Sequence, residues 1–489
     1  METRRFDLLP WALGAAACLF YLSIHSTFYN FDGVACAIAV DLGDFAHLTH
    51  GNHLAYGLAG WLFHRLWQAF GYGGPALLSL QTLDCLLGGA GIGLFCAVLL
   101  RLRFQRERAA LAAWGLAISQ AYWLWSLEAQ VYILGAFFLL LAAGELAAEK
   151  PPPGRLAFFH AAAVLGHVGN AMFLPVALHR LWSGPRPRRP LLIYTLLLGA
   201  ILAASYLLVA ALFVRPRSFD EWRVWLLGSA ALMPDKSFIW YGGYSWGHLG
   251  DWAAMTLRIF ADFAPLQGLA RGAAWALDAA AIAAAAAGAL ALRDKRRGRL
   301  AGALILWLVS YAALFACWQP WTVVYRVTDL IALWMLIPLG LERANRAAGT
   351  ALLAAWVLSA GIFNWRTNIS PKTDPLNNKP YQEALWIGSV TPQRAWIVVT
   401  GQGQVYIPYF AHRRPLNMRY YDGYPGPLRR RLDGLAAAGE PVFISSSTLH
   451  ADNWEGLLSD RGLELSARNG EMVLYRLSDR MKGKPSGSR

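Results

Sequence analysis

Charged residues are scarce, at 15% of the 489-residue chain, and Asp and Glu (30) are outnumbered by Lys and Arg (44). With 56% hydrophobic residues beside so little charge, the composition excludes both a disordered chain and an ordinary soluble protein. Cysteine is sparse too. Cys18, Cys36, Cys85, Cys96 and Cys317 are the whole set; four lie in apolar runs and none lies in the last third of the chain. That distribution excludes a disulfide framework and a zinc pattern. No residue pattern calls for a cofactor; a divalent metal stays open but is not indicated. A GxGxxG fingerprint is missing as well. Gly401-Gln402-Gly403 follows a strand-like run but stops short of it, which removes a nucleotide loop from consideration.

Apolar runs of membrane length are plentiful. They fall near 8–26, 76–100, 109–125, 130–148, 156–182, 191–214, 265–292, 300–317, 321–341 and 347–364. Many of the 22 Trp residues cluster near their ends, as interfacial belts do. The first run follows Arg4 and Arg5 without a small-residue cleavage site, so it reads as a retained signal anchor. The net charge of +14 does not point to nucleic acid, because much of the excess sits between apolar runs. Arg101, Arg103, Arg106 and Arg108 occupy one connection; Lys150 and Arg155 the next; Arg186, Arg188 and Arg189 another. Arg293, Lys295, Arg296, Arg297 and Arg299, then Arg343 and Arg346, complete the set. The alternate short connections, 126–130 and 318–320, carry no Lys or Arg. This asymmetry places the N-terminus in the cytoplasm.

The run 156–182 is basic at both flanks and interrupted by His167-Val168-Gly169-Asn170. One crossing cannot have both ends inside, so it is expected to be two short helices, in and back out. The count becomes about eleven transmembrane helices with the C-terminus outside. Two long external loops follow, 27–75 and 215–264. The first contains an amphipathic stretch at 54–70. The second is rich in Trp and Tyr: Trp222, Tyr241, Tyr244, Trp246 and Trp252. Pro371, Pro375 and Pro380 mark a linker near 365–380. Beyond it, strand-like runs at 395–400 and 441–446, helical stretches at 427–438 and 454–461, and a hairpin around Asn469-Gly470 read as a small external α/β domain, 381–489.

Three stretches carry candidate chemistry. Asp32, in Asn30-Phe31-Asp32-Gly33, lies just past the first span, where a carboxylate could act as general base or cap a helix. Glu128 lies between two spans on the same face. It is either a functional acid at a costly depth or a second cap. Arg326 lies about one turn into a span; it could clamp a phosphate, snorkel, or pair with Asp329. His47, His50 and His53 are spaced by three, as metal ligands or as solvated loop. Asp84 and Asp278 sit inside spans and are expected to bond within the bundle.

The order of parts resembles the GT-C glycosyltransferases, which use polyprenyl-phosphate-linked sugars. Asn52-His53-Leu54-Ala55-Tyr56 is similar to their His-Pro-Pro-Leu/Tyr stretch, without the Pro-Pro. Ser126-Leu127-Glu128-Ala129-Gln130-Val131-Tyr132 resembles the Ser-x-x-x-Glu-Val-Tyr pattern of the protein O-mannosyltransferase-like subgroup. Gly166-His167-Val168-Gly169-Asn170 before Phe173-Leu174-Pro175 resembles that subgroup's turn before a returning helix. The resemblance spans 1–340. It departs in loop one, where many relatives carry an acidic pair and this chain has Asp32-Gly33. It implies Asp32 and Glu128 as catalytic carboxylates, with Arg326, His53, His167 and Asn170 binding substrate. The implied donor is a polyprenyl-phosphate-linked sugar. The implied acceptor is a lipid, glycan or protein, and the implied location the bacterial inner (plasma) membrane. Broken helices also occur in secondary transporters, so a transporter or flippase is the alternative, and a scaffold presenting its tail is a third.

Overall fold

The computed structural model describes residues 7–184, 187–227, 246–263, 266–294, 297–418, 425–451, 458 and 461–480. Arg4, Arg5, Arg186, Lys295, Arg296, Tyr241, Tyr244 and most of the expected helix 454–461 lie outside the described residues. The chain divides into two compact units, Met1–Thr373 and Asp374–Arg489.

In the first unit, α1 (Leu9–Leu22) leads into three helices of the first loop, α2 (Phe31–Leu42), α3 (Phe45–Leu48) and α4 (Tyr56–Ala69). Then come α5 (Ala76–Arg101), α6 (Arg106–Ile118), α7 (Gln120–Ser126), α8 (Val131–Leu146), α9 (Pro153–Gly166), α10 (Leu174–Trp182) and α11 (Arg188–Val209). The second long loop forms α12 (Phe219–Leu227) and α13 (Trp246–Arg258). The unit closes with α14 (Gly268–Ala289), α15 (Gly298–Cys317), α16 (Val327–Leu341) and α17 (Arg346–Asn364). Among the described residues, six helices are long and apolar enough to cross a membrane, or up to seven if α7 and α8, bent by 115° at their junction, form one broken span. The chain is an α-helical polytopic membrane protein. Small residues let its helices approach closely, as membrane packing favours. Where α1 meets α5, a Cβ on Gly89 would come within 2.4 Å of the Cys18 backbone nitrogen.

Two of the expected spans are broken. The run 109–125 is two helices, because Ser119 is extended (φ −63°, ψ 137°). The amide N–H groups freed at Gln120 and Ala121 donate to the Phe260 and Ile259 carbonyls at 2.9 and 3.1 Å, so the break leaves no orphan there. The run 156–182 breaks at His167 as expected, into α9, a 3₁₀ segment at 168–173 and α10. Arg180, near the end of α10, donates to the Leu146 and Ala148 carbonyls at 3.2 and 2.7 Å, just ahead of α9. The α9–α10 pair therefore returns to the end it started from.

Side-chain contacts sort the connections into two ends. At the basic end, Arg101 reaches the Gly144 carbonyl (2.9 Å) and Arg108 the Leu341 carbonyl (2.5 Å). Arg155 pairs with Glu145 (2.5 Å), Arg346 with Glu107 (2.9 Å), and Arg297 with Glu342 and the Leu102 carbonyl. At the opposite, polar end lie the residues following α1, loop 127–130, the α9–α10 break and the turn before α16.

The stretch expected as a linker is largely helical. α17 continues through a π turn at 365–369 and a 3₁₀ turn at 370–372. There the Lys372 carbonyl accepts from both the amide and the hydroxyl of Thr27, at 2.8 and 3.0 Å. Pro371 fits this ending because proline is tolerated in the first turn of a new helical segment.

The second unit comprises α18 (Lys379–Val390), β1 (Trp396–Val399), α19 (Gly403–Tyr406), β2 (Arg414–Asn417), α20 (Pro425–Ala437), β3 (Val442–Ser445), α21 (Ser446–Ala451), β4 (Arg461–Asn469) and β5 (Met472–Arg480). The five-stranded sheet runs β2-β1-β3-β5-β4, parallel across its first three strands and antiparallel across the rest. Val398, Ile444, Leu428, Leu432 and Leu435 form its core. The Asn469-Gly470 hairpin stands, with Gly470 left-handed at φ 57°. Arg461, expected in a helix, opens β4. β2, Arg-Pro-Leu-Asn, was not expected because it lacks strand-type alternation.

Candidate functional site at the polar end of the bundle

The site is built on the N-terminus of α2. Asn30, not Asp32, caps that helix: its Oδ1 accepts from the Gly33 amide at 2.9 Å. Asp32 is thereby freed from capping and sits in the first turn, favoured there by the helix dipole. Gly33 explains why no second carboxylate follows. A Cβ at this position would lie 2.3 Å from the Ala129 carbonyl oxygen, so any larger residue would push α2 off loop 127–130.

Glu128 lies behind this helix end with no exposure. It accepts from the Ser26 hydroxyl, and from the Asn30 amide and Asn30 Nδ2 at 3.2 Å each. Asn30 Nδ2 also donates to the Ala129 carbonyl at 3.1 Å. Gln130 continues the network. Its Nε2 donates to Asn30 Oδ1 at 3.2 Å, and its amide donates to Asp84 Oδ2 at 2.7 Å. The same Asp84 oxygen accepts from the Tyr56 hydroxyl at 2.7 Å, which is the intra-bundle bonding expected of an acid inside a span.

Asp32 is solvent-exposed, yet enough protein surrounds it for desolvation to raise its carboxyl above the ordinary aspartate value, while a hydrogen bond from Gln130 lowers it. Asp32 is thus open to solvent on one side with protein packed beside it. Asp32 interacts electrostatically with Tyr132. The Tyr132 ring lies 4.5 Å from that of His167 and 5.4 Å from that of Tyr325; Trp318 lies 4.9 Å from Tyr325 and 6.3 Å from His167. An aromatic cluster thus connects the Asp32 region to the α9–α10 break.

His53 stacks on His50 with centroids 4.6 Å apart. Burial holds both imidazoles below the usual histidine value, His53 most strongly. His53 Nδ1 is buried with no hydrogen-bond partner. His47 instead turns to Asp44, at 2.7 Å. Among the described residues no group of three or more His, Cys, Asp or Glu is placed to hold a metal ion.

Arg326 is fully buried. It donates to Asp329 (2.7 Å), the Trp252 carbonyl (3.1 Å) and the Thr256 hydroxyl (2.7 Å), with the Trp252 ring 4.8 Å from its guanidinium carbon. The pairing with Asp329 is the one the i, i+3 spacing allowed. Asn170 holds the helix break. Its Nδ2 donates to the Ala163 carbonyl (2.9 Å) and its Oδ1 accepts from Tyr311 (3.0 Å), bracing the break. His167 accepts from the Gly169 amide at 3.1 Å.

Sequence reasoning missed Ser26, Asn30, Gln130 and Lys372. Gln130 lay within the motif but drew no role. Lys372, in the stretch expected as a linker, donates to the Asn368 carbonyl at 3.1 Å, lies 5.5 Å from the centre of the Phe28 ring, and interacts electrostatically with Glu128.

No family model matches this chain, and no curated protein matches it. Solved structures do. ArnT from Cupriavidus metallidurans bound to undecaprenyl phosphate aligns with a TM-score of 0.65 at 12% identity, over 96% of this chain and 97% of that one. Apo ArnT gives 0.63 at 13% identity, over 96% and 97%. The Archaeoglobus fulgidus oligosaccharyltransferase complexed with Zn and sulfate gives 0.56 at 14% identity, over 91% of this chain and 69% of that one. The chain has the GT-C fold that these proteins share.

Proposed function

We propose that this protein transfers a glycosyl group from a polyprenyl-phosphate donor to an acceptor at the polar end of the bundle, with Asp32 as the general base. One observation carries the reading: Asp32 is relieved of capping by Asn30 and stands exposed beside protein that desolvates it. Its helix is pinned from behind by Glu128, Asn30 and Gln130. A base must reach the proton it removes and be ionised at the working pH; an exposed carboxylate on a fixed helix end meets both needs. The fold shared with an ArnT that holds undecaprenyl phosphate supports the donor class.

In this reaction Asp32 takes the acceptor O–H proton as the acceptor oxygen bonds to the anomeric carbon. The anomeric C–O bond to phosphate breaks, and its electron pair leaves with the polyprenyl phosphate. Glu128 positions the α2 terminus, and Arg326 positions α13 against α16. His53, His167 and the aromatic cluster form the substrate wall. The orientation follows the charge pattern: basic end in the cytoplasm, polar end outside. On this reading the chain passes eleven times between the two ends, through α1, α5, α6–α7, α8, α9, α10, α11, α14, α15, α16 and α17.

The test is release of undecaprenyl phosphate from undecaprenyl-phosphate-linked sugars by purified protein in nanodiscs. Asp32→Asn is expected to reduce transfer by about 100-fold or more while leaving the protein at least as stable as wild type. Near-normal turnover by that variant would overturn the role of Asp32.

A further inference from the structure

The second unit contains a cavity that the proposed reaction does not use. The strand order β2-β1-β3 means that the chain leaves β1 to one side for β2, then crosses back to the other side for β3. In open parallel sheets that reversal opens a crevice at the carboxyl ends of the two diverging strands, and ligands bind there. Here the crevice is occupied by a cavity of about 240 Å³ at the carboxyl ends of β1 and β3.

The lining has a consistent chemistry. Thr400 and Gln402 follow β1; Ser445, Ser447 and Thr448 lie at the end of β3; Glu383 reaches in from α18. The hydroxyls are already ordered among themselves. Ser447 donates to Glu383 at 2.7 Å, and Ser445 contacts Ser447 at 2.9 Å and Thr448 at 3.2 Å. The floor is apolar, from Ala384, Ile387 and Val399. Gly401 adopts φ 50°, which keeps the β1 loop tight beside the opening. Among the described residues no Lys, Arg or His lines the cavity and Glu383 carries the one carboxylate, so the site disfavours anions. Hydroxyl donors and acceptors over a small apolar floor, with one carboxylate to accept from O–H or N–H groups, suit a polyhydroxylated ligand.

We infer that this crevice binds one neutral or amine-bearing sugar unit, making the second unit a carbohydrate-binding module. The inference rests on the cavity and the sheet topology, not on the transfer reaction. The sugar would belong to an acceptor or product glycan if the proposed reaction is right.

The test uses the full chain in nanodiscs and saturation-transfer NMR with glucose, galactose, mannose, arabinose, glucosamine and glucose-6-phosphate as probes. Binding of at least one uncharged or amino sugar is expected, in preference to the phosphorylated one. Ser447→Phe should abolish it by filling the cavity, and Glu383→Gln should weaken it several-fold without changing the melting temperature. Asp32→Asn should leave it unchanged. The inference is overturned if no neutral or amino sugar binds, if glucose-6-phosphate binds best, or if Ser447→Phe remains folded and binds as wild type does. Sugar binding that persists in a protein without transfer activity would leave this site standing while removing the proposed reaction.

Discussion

At the basic end of the bundle, Arg101, Arg108, Arg180 and Arg297 each donate to backbone carbonyls at or near helix ends. At the polar end, Glu128 and Asp84 accept from the side chains and amides that hold the N-termini of α2 and α8. The first arrangement satisfies the orphan carbonyls of helix C-termini and complements their dipoles, and its charges end in closed contacts. The second satisfies both oxygens of Glu128, but it leaves Asp84 Oδ1 and His53 Nδ1 buried without a partner and Asp32 exposed. Polar capacity is thus left over at one end and consumed at the other.

The comparison fails outright if the ends are inverted. An alkaline phosphatase fused to the C-terminus should be active and a fluorescent protein dark, an all-or-none result; the opposite pair would put the basic end outside. Next in size is Arg326, the arginine at the polar end that behaves like one at the basic end. Removing it leaves Asp329 buried and unpaired, at about 3–5 kcal/mol, so Arg326→Met should unfold at markedly lower temperature. Arg326→Met with Asp329→Leu should recover much of the loss, since replacing both partners of a buried pair is often neutral. If the recovered protein shows an unchanged donor KM, Arg326 is a positioning residue; a large rise would make it a donor ligand.

Glu128 tests the polar end from behind. Glu128→Ala strands the Ser26 hydroxyl and the Asn30 donors. Hydrogen bonds to a charged group contribute about 1.5–3 kcal/mol each, so a loss of about 3 kcal/mol is expected in thermal or chemical unfolding. Transfer should fall with it, because α2 loses its support. A variant as stable as wild type but inactive would instead place Glu128 in the chemistry.

The bundle was legible because its signals are long: apolar runs, the basic connections, and the polar break at His167 all appear where expected. The Ser119 break was not, since Ala-Ile-Ser-Gln-Ala carries no helix-stopping residue and the break is stabilised from outside, by the Ile259 and Phe260 carbonyls. Asp32, Glu128, Arg326 and Asp84 could be picked out as isolated ionisable residues next to or inside apolar runs. What each does depends on partners far away in sequence, such as Ser26 on Glu128 or Thr256 on Arg326. The helix cap went to Asn30 rather than Asp32, a choice between two good capping residues that composition does not decide. Lys372 was hidden because three prolines made its surroundings read as linker.

The smallest expected effect concerns the proton on Asp32. Desolvation raises its folded-state pKa and the Gln130 hydrogen bond lowers it. The base form is therefore lost, as pH falls, at a higher pH than for a free aspartate, and the acid limb of kcat/KM should lie above the ordinary value of about 3.9. Removing Gln130 takes away the effect that favours the charged form, so Gln130→Ala should move the limb to still higher pH. Stability has its own sign. A carboxyl whose folded pKa is raised destabilises the fold once pH exceeds that pKa, and does so in no measurable way below the unfolded pKa. Asp32→Asn should therefore raise the melting temperature slightly at neutral pH, with the gain vanishing as pH falls through the window between the two values. A limb that moves to lower pH in Gln130→Ala, or an Asp32→Asn variant less stable than wild type at neutral pH, would show that Asp32 lies among groups that hold its charge, and the polar end would then resemble the basic end.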